Sequence, residues 1–222
     1  MLRWERYQLP KDFPTGWSFG RWTIERVVLD DLTVEVTNLR LALEGFLDRM
    51  LESGSYVMLN GGGMFDPMMS DTPAEIRDLY PLIDAVADWG NEPTVLLHGL
   101  GLGVALQGAM LKGAKKVTVV EKDKDLLDFV GSYWSECYGD RLELINDDAL
   151  TWSPKSGTRW DIVWHDIWPT ICEDNLKEMH KLHRRFGKRC RWQGSWCRRI
   201  CEDARSGRLD RTLDNYAKLV QR

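Results

Sequence analysis

The 222-residue sequence lacks any apolar run that approaches the roughly 18 residues of a membrane-spanning helix. Its first residues also lack the charged and apolar segments of a secretory signal peptide. Cysteine is scarce: the five cysteines are an odd number, and none belongs to a CxxC pair. This pattern is typical of free thiols in a reducing compartment. We therefore expect a cytoplasmic protein without a membrane partner.

A zinc site is the main alternative use of the cysteines. Cys190, Cys197 and Cys201 could be combined with His180 and His183 in a metal-binding cluster. Structural zinc sites usually contain closely spaced cysteine pairs, which this segment does not have. Cys197 and Cys201 stand at the spacing of neighbours on one helix face, so packed thiols explain them better. No metal is predicted.

Neither internal repeats nor low-complexity segments interrupt the sequence. Hydrophobic residues make up 43% of it, which is enough for the core of a globular domain. The length fits one domain with a small addition. We predict an N-terminal extension of short strands and a helix over residues 1–70. Residues 71–222 are predicted to form a cofactor-binding core that ends in a basic helical segment.

The net charge of −4 conceals an uneven distribution. Residues 181–222 contain 13 Lys and Arg against 4 Asp and Glu, whereas the first 180 residues have an acidic excess. A basic segment of this kind could bind the phosphates of RNA or DNA. More commonly it is a solvated helical surface that pairs with the acidic body of the same protein. A nucleic-acid partner is therefore kept as an alternative.

The extension is predicted to contain strands and one helix. Residues 22–29 alternate between apolar and polar side chains, as a strand does, and residues 32–36 could pair with them across an Asp-Asp turn. From residue 38 to residue 54 the apolar positions recur at helical spacing. Residues 56–60 predict another short strand.

The core is predicted to alternate strands with helices. Ser70, Asp71, Thr72 and Pro73 form a helix start, and Pro81 is expected to kink or split that helix. Strand patterns follow at residues 94–98, 116–120, 141–145, 161–164 and 190–193, with helical patterns between them that include residues 125–138 and 173–186. This alternation predicts an α/β fold with a doubly wound, mostly parallel sheet.

A glycine-rich turn joins the first core strand to the following helix. Its three glycines, Gly99, Gly101 and Gly103, allow the backbone to approach a ligand closely. Glu121 ends the next strand, where a carboxylate can accept hydrogen bonds from the two ribose hydroxyls of a nucleoside. The turn has the form GxGxG and not the GxGxxG of dinucleotide-binding proteins. A tight connection without a ligand is the simpler interpretation of the turn alone, but the position of Glu121 favours a nucleoside site.

Two further acids follow the ends of later strands. Asp148, preceded by Asp147, comes after the third core strand and could accept a hydrogen bond from an exocyclic amine such as adenine N6. Asp166 follows the fourth core strand, and Trp168 comes shortly after it. There an acid could act as general base or hold a substrate cation, with Trp168 as an aromatic wall. Ordinary turn acids beside a packed tryptophan are the alternative interpretation.

Four segments together resemble the motifs of the class I S-adenosylmethionine-dependent methyltransferases, and within them the spermidine-synthase-like branch. The segments are VLLHGLGLG, VTVVEKD, INDDAL and DIVWHDIWP, and the resemblance covers roughly residues 62–186. It implies a Rossmann-like methyltransferase fold and S-adenosyl-L-methionine as the cofactor. It also implies that the three glycines surround the methionine part, Glu121 binds the ribose, Asp148 binds the adenine amine, and Asp166 faces the sulfonium.

The same resemblance extends to neighbouring positions. Lys122 and Asp147 belong to the second and third of these motifs. Asp71 lies in MMSDTPAE, which is similar to the segment that folds over the cofactor in many members. We predict that all three contact the cofactor, and that Asp166 and Trp168 are the catalytic residues.

The predicted function is methyl transfer to a small or medium-sized acceptor by an enzyme that could be oligomeric. Aminopropyl-transferring members have a second acid shortly after the fourth-strand Asp, where this sequence continues IWPT. The Asp/Asn-Pro-Pro-aromatic motif of amino-methylating DNA enzymes is also absent, and only one convincing strand follows the fourth. The alternatives are methylation of RNA or DNA through the basic segment, an aminopropyltransferase-like activity, and a non-catalytic cofactor-binding homologue.

Overall fold

The computed structural model describes residues 3–43, 49–63 and 67–206, which contain two β-sheets. The first sheet is antiparallel and lies in the N-terminal part of the chain. β2 and β3 form its longest pairing, from Thr23 opposite Asn60 to Leu29 opposite Gly54. Its strands, in spatial order, are β1 (Trp17–Phe19), β2 (Trp22–Leu29), β3 (Gly54–Asn60) and β4 (Met69–Ser70).

Helix α1 (Asp31–Leu43) follows β2 directly, so the prediction of a strand at residues 32–36 is wrong. Asp30 starts the helix, because its Oδ1 accepts a hydrogen bond of 2.7 Å from the N–H of Thr33. Both edges of β2 are also already occupied, by β1 and β3. The helix predicted from residue 38 therefore begins earlier, and its residues 44–48 lie outside the described residues.

The predicted alternation of strands and helices is confirmed in the core. Pro81 splits the first helix as expected, since α2 ends before Leu79 and α3 begins after it. Two short 3-10 helices, Trp4–Tyr7 and Gly139–Arg141, lie outside this pattern. The elements are α2 (Pro73–Asp78), α3 (Tyr80–Asp88), β5 (Thr94–His98), α4 (Val104–Leu111), β6 (Lys116–Glu121), α5 (Lys124–Tyr138), β7 (Leu142–Asn146), β8 (Ile162–His165), α6 (Asn175–Phe186), β9 (Trp192–Ser195) and α7 (Arg198–Arg205).

The second sheet confirms the predicted α/β class. Its five strands lie in the order β7-β6-β5-β8-β9, and every neighbouring pair is parallel. The chain starts in the middle of the sheet, builds outward on one side and then crosses to the other. The order therefore reverses between β5 and β8, which is the point where open α/β sheets bind ligands beyond the carboxyl ends of their strands.

The central strand β5 is buried on both faces, because Val95, Leu96 and Leu97 expose at most 1% of their surface. Burial on both faces requires the continuous apolar run that the sequence has there. The same hydrophobic cluster includes Ile24 and Leu59 of the antiparallel sheet. The two sheets thus share one core, and a domain boundary at residue 70 stays a prediction.

Within the described ranges, no helix combines the length and the apolar character needed to cross a bilayer. All five cysteines are present as thiols. The cellular compartment stays a prediction.

Candidate functional site

A cavity of about 720 Å³ opens at the carboxyl ends of the parallel strands, the edge where the sequence predicts a ligand. Its volume lies in the range of small-molecule sites. Seven of the predicted site residues line it: Gly99, Gly101, Glu121, Lys122, Asp148, Asp166 and Trp168. The cavity lining does not include Asp71, Gly103 or Asp147.

The glycine turn is held close to the end of β8. Gly99 has φ +95°, and a Cβ at this position would overlap the carbonyl oxygen of Asp166. The Asp166 N–H in turn donates a 2.9 Å hydrogen bond to the carbonyl of His98. Only glycine can combine this backbone conformation with such a close approach. The turn and Asp166 are therefore fixed relative to each other.

Gly101 and Gly103 face side chains of the protein itself. A Cβ at Gly101 (φ +51°) would overlap the sulfur of Met69, which lies over the turn from β4. A Cβ at Gly103 (φ +83°) would overlap the indole of Trp134, whose Nε1 donates a 3.0 Å hydrogen bond to the carbonyl of Leu102. Gly103 thus allows α5 to pack against the start of α4, a structural contact.

Glu121 is held by two backbone amides at the cavity wall. Its Oε2 accepts a 2.8 Å hydrogen bond from the N–H of Leu100, and its Oε1 accepts one of 2.7 Å from the N–H of Asp123. Burial raises the pKa of Glu121, and these hydrogen bonds oppose that rise. Each of the two carboxylate oxygens can accept a second hydrogen bond, so Glu121 can still bind two neighbouring hydroxyls.

Asp148 lies farther along the same wall, in the turn after β7. A hydrogen bond from the N–H of Leu150 and the ammonium group of Lys122, 3.0 Å away, lower its pKa. The Lys122 side chain is largely exposed, so this ion pair adds little stability. Asp147 is exposed, and its Oδ1 accepts from the N–H of Asp148 at 2.7 Å. It shapes the turn.

Asp71 is buried beneath the antiparallel sheet, with 1% of its surface exposed. Its two oxygens accept from the N–H groups of Leu9, at 3.0 Å, and Val57, at 2.7 Å. Burial raises the pKa of Asp71, and both hydrogen bonds oppose the rise. In this structure its contacts join the N-terminal segment to β3.

Sequence reasoning missed Arg185 on α6, which holds the segment after Asp148. Its guanidinium donates to the carbonyls of Leu150 (2.9 Å), Thr151 (2.6 Å) and Trp152, and to the hydroxyl of Ser153 (2.9 Å). Such multiple bonding requires the fork of an arginine. No local pattern distinguishes Arg185 from the other basic residues of its helix.

The opposite end of the cavity is acidic and aromatic. Glu75, Asp166 and Glu178 line it together with Trp168 and Trp196. The Trp168 Nε1 donates a 2.8 Å hydrogen bond to Glu178 Oε2, which orients both side chains. Trp196 and Glu178 were not predicted as site residues, because one lies in the basic segment and the other fits an ordinary amphipathic helix.

One arginine partly neutralises this acidic end from outside the cavity. Arg49 makes 2.6 Å contacts with both Glu75 and Asp78. Burial still raises the pKa of Glu75 to about 7, although Arg49 opposes the rise. Burial, with the negative charges of Glu75 and Asp78, raises the pKa of Asp166 to about 8. An additional positive charge in the cavity would relieve this repulsion.

A histidine pair lies beneath the site. His98 and His165 precede Gly99 and Asp166, and their Nδ1 atoms are 2.7 Å apart. Burial lowers the pKa of both rings, that of His165 to about 3. Two neutral rings can share one proton, with one as donor and the other as acceptor. The pair therefore joins the ends of β5 and β8 without adding charge.

The basic segment is partly used within the protein. Arg189 donates to the carbonyl of Thr158 at 3.1 Å, and Arg198 contacts both Glu202 and His183. Residues 207–222 lie outside the described residues. In the parts of the chain that the structure describes, no three His, Cys, Asp or Glu residues are grouped to hold a metal ion.

No protein-family model matches the chain, and no curated protein sequence matches it significantly. Similar solved structures include a provisionally named RNA methyltransferase from Pyrococcus horikoshii, 22% identical over 53% of this chain and 56% of its own, with a TM-score of 0.41. A provisionally named methyltransferase from Escherichia coli is 20% identical over 55% of this chain and 64% of its own, with a TM-score of 0.43.

An S-adenosylmethionine-dependent methyltransferase from Agrobacterium tumefaciens is 21% identical over 50% of this chain and 36% of its own, with a TM-score of 0.38. This chain therefore spans less than two thirds of the length of each of these three proteins. The identities and TM-scores are too low to assign it to a family or to an activity.

Proposed function

We propose that the protein is an S-adenosylmethionine-dependent methyltransferase whose acceptor is a small molecule with a basic, positively charged nitrogen. One observation carries the proposal: a single cavity joins a nucleoside-like wall, formed by the glycine turn, Glu121 and Asp148, to an acidic and aromatic end around Asp166. A donor bound along the wall would thus meet an acceptor held at the other end.

The wall suits an adenosine compound. Glu121 would accept from the two ribose hydroxyls, because its carboxylate is already oriented by two amides. Asp148 would accept from the adenine amine, and Arg185 would hold its loop in place. The backbone at Gly99 and Gly101 would pass beside the amino-acid part. These assignments follow the order of the groups along the cavity wall.

The acidic end suits a cation. Three carboxylates, Glu75, Asp166 and Glu178, share this end, and Arg49 lies outside the cavity lining. The indoles of Trp168 and Trp196 can contribute cation–π attraction in the same space. A neutral or anionic acceptor would leave the repulsion among the carboxylates in place, whereas an ammonium or similar group would relieve it.

S-adenosylmethionine, when bound, supplies a methyl group on a positively charged sulfur, which leaves as a neutral thioether. The acceptor nitrogen must offer a free lone pair, so an ammonium must first lose a proton. We propose that the carboxylate of Asp166 accepts that proton as a general base. Binding of the cation lowers the pKa of Asp166 from about 8, so that it becomes an ionised base when the acceptor arrives. Asp166 would thus present a neutral nitrogen to the methyl group that bound S-adenosylmethionine would supply.

The test is transfer of a labelled methyl group from S-adenosylmethionine into a panel of small amines, phenols, carboxylic acids and RNA. We expect product from basic nitrogen compounds only. Glu178→Gln should raise the KM for the acceptor about 10-fold, since it removes one charge from the acceptor end. Its affinity for S-adenosylhomocysteine should not change. Glu136→Gln, at an exposed position of α5, is the matched control.

Three results would contradict the proposal. If calorimetry detected no binding of S-adenosylmethionine or S-adenosylhomocysteine, the proposed cofactor would be ruled out. Methyl transfer to RNA or to neutral acceptors would rule out basic nitrogen compounds as the specific acceptor class. Tight cofactor binding without transfer to any member of the panel, or to any fraction of a cell extract, would indicate a non-catalytic binding protein.

A further inference from the structure

Helix α1 exposes a row of large apolar side chains on the side that faces away from the protein. Leu32, Val36, Leu39 and Leu43 expose 70%, 61%, 63% and 75% of their surface. Their spacing of four, three and four residues keeps them on one helix face. Isolated exposed leucines are ordinary on protein surfaces, but a continuous row on one face is typical of an interaction site.

The other face of α1 already has a partner in the same chain. The Asn38 side chain exchanges two hydrogen bonds with the backbone of Leu51, of 2.9 and 2.7 Å, and Val34 and Leu41 are half-buried. The helix is therefore fixed through the face around Asn38. The exposed row lies on the opposite face, away from the contacts that α1 makes with the described residues.

We propose that this row binds the same row of a second copy of the chain, with the two α1 helices parallel. The spacing is that of a coiled coil, with Leu32 and Leu39 at d positions and Val36 and Leu43 at a positions. Val36 is the β-branched residue at an a position that, with leucine at d, favours two parallel strands, whereas Leu43 at the second a position is not β-branched. A two-fold axis along the helices would bring each residue of the row against its own copy.

The charged residues of α1 agree with this arrangement. Glu35 lies on one flank of the row, at the g position, and Arg40, which also interacts within its own chain, lies on the other flank, at the e position. Opposite charges five residues apart at these positions meet across two parallel helices. A membrane surface is a poorer partner, because helices that lie on membranes are rich in Lys and Arg, and the exposed Asp31 and Glu35 of α1 are acidic.

The size of the row predicts a weak dimer. Each of the four side chains can bury on the order of 100 Å². One copy would then contribute about 400 Å², half of the ~800 Å² per partner in a standard interface. We therefore expect a dissociation constant in the micromolar range. This association is independent of the proposed methyl transfer and can be tested without any substrate.

The experiment is sedimentation velocity of the full-length protein over a range of concentrations, for the wild type, Leu39→Glu and Leu111→Glu. Leu111 at the end of α4 is also exposed, by 56%, and is the matched control. We expect a monomer–dimer equilibrium in the wild type and in Leu111→Glu. In Leu39→Glu the dissociation constant should rise by about 100-fold, because two apolar contacts are lost per dimer.

Cysteine cross-linking tests the orientation. In a background in which the exposed Cys137 and Cys172 are replaced by serine, mild oxidation of Val36→Cys should yield a covalent dimer joined through position 36, and Leu111→Cys should yield none. A wild type that stays monomeric up to about 500 µM would overturn the proposal, since a micromolar dimer would be nearly complete there. The proposal would also be overturned if Leu39→Glu dimerised as strongly as the wild type. The same holds if the wild type were monomeric and floated with phosphatidylcholine vesicles, and Leu39→Glu did not float with them.

Discussion

The two ends of the cavity are built in different ways. The nucleoside-like wall comes from consecutive strand ends of one parallel sheet: the turn after β5, Glu121 at the end of β6 and Asp148 after β7. The acidic end combines Glu75 of α2, Asp166 after β8 and Glu178 of α6, elements that are far apart in the sequence. A donor site that uses the sheet edge is thus fixed by topology, whereas the acceptor site depends on how helices pack around it.

The largest effect is expected on kcat when Asp166 is replaced, with little effect on cofactor binding by the nucleoside-like wall. Asp166→Asn should reduce kcat at least ~100-fold, because an amide cannot accept the proton of the acceptor nitrogen. The affinity for S-adenosylhomocysteine should stay within about 3-fold, since the wall is unchanged. Methyl-transfer kinetics and calorimetry measure the two quantities. Asp140→Asn, an exposed acid outside the cavity, is the control. Equal losses of kcat and of cofactor affinity would show that the two ends of the cavity do not work separately.

Glu121 should show the reverse pattern with a smaller effect. Glu121→Ala removes hydrogen bonds from a charged acceptor to two hydroxyls, and should weaken cofactor binding about 30-fold to 100-fold. At saturating cofactor, kcat should fall much less. Glu143→Ala on β7 is the control, because Glu143 is half-exposed and does not line the cavity. Thermal unfolding must accompany the measurement, since the Glu121 oxygens also hold the N–H groups of Leu100 and Asp123.

The difference between the two ends of the cavity also explains which site residues could be predicted from the sequence. The strand at residues 94–98, the glycine turn and Glu121 lie within 28 consecutive residues, and local patterns are sufficient to identify them. Glu178 and Trp196 reach the cavity only because α6 and the turn after β9 pack beside it. Their roles depend on tertiary contacts, which a single sequence does not reveal. Arg185 was missed for the same reason.

The wrong prediction of a strand at residues 32–36 also has a physical cause. Residues 32–36 alternate between apolar and polar side chains, as a strand does, because α1 has one apolar face toward the protein and another away from it. Two opposite apolar faces on a helix imitate the alternation of a strand. Asp71 lies within the predicted cofactor-covering segment, and both of its oxygens accept backbone N–H groups of other segments, so its contact with the cofactor stays a prediction. Local sequence does not show whether a carboxylate is already occupied.

The last expected effect concerns stability and is independent of any substrate. Because the pKa of Asp166 is about 8 in the fold and about 4 in the unfolded chain, the folded state binds the proton more strongly. The wild type should therefore lose stability as pH rises from about 5 to 8, and Asp166→Asn should not lose this contribution. Relative to their difference at pH 5, the variant should unfold roughly 10–20 °C higher than the wild type by pH 8.5. Calorimetric scans at several pH values measure this difference, with Asp140→Asn as the control. A difference that does not change with pH would mean that the pKa of Asp166 is not raised in the empty site, so that burial and the neighbouring carboxylates do not disfavour its charge, and the electrostatic preference for a cationic acceptor would be lost.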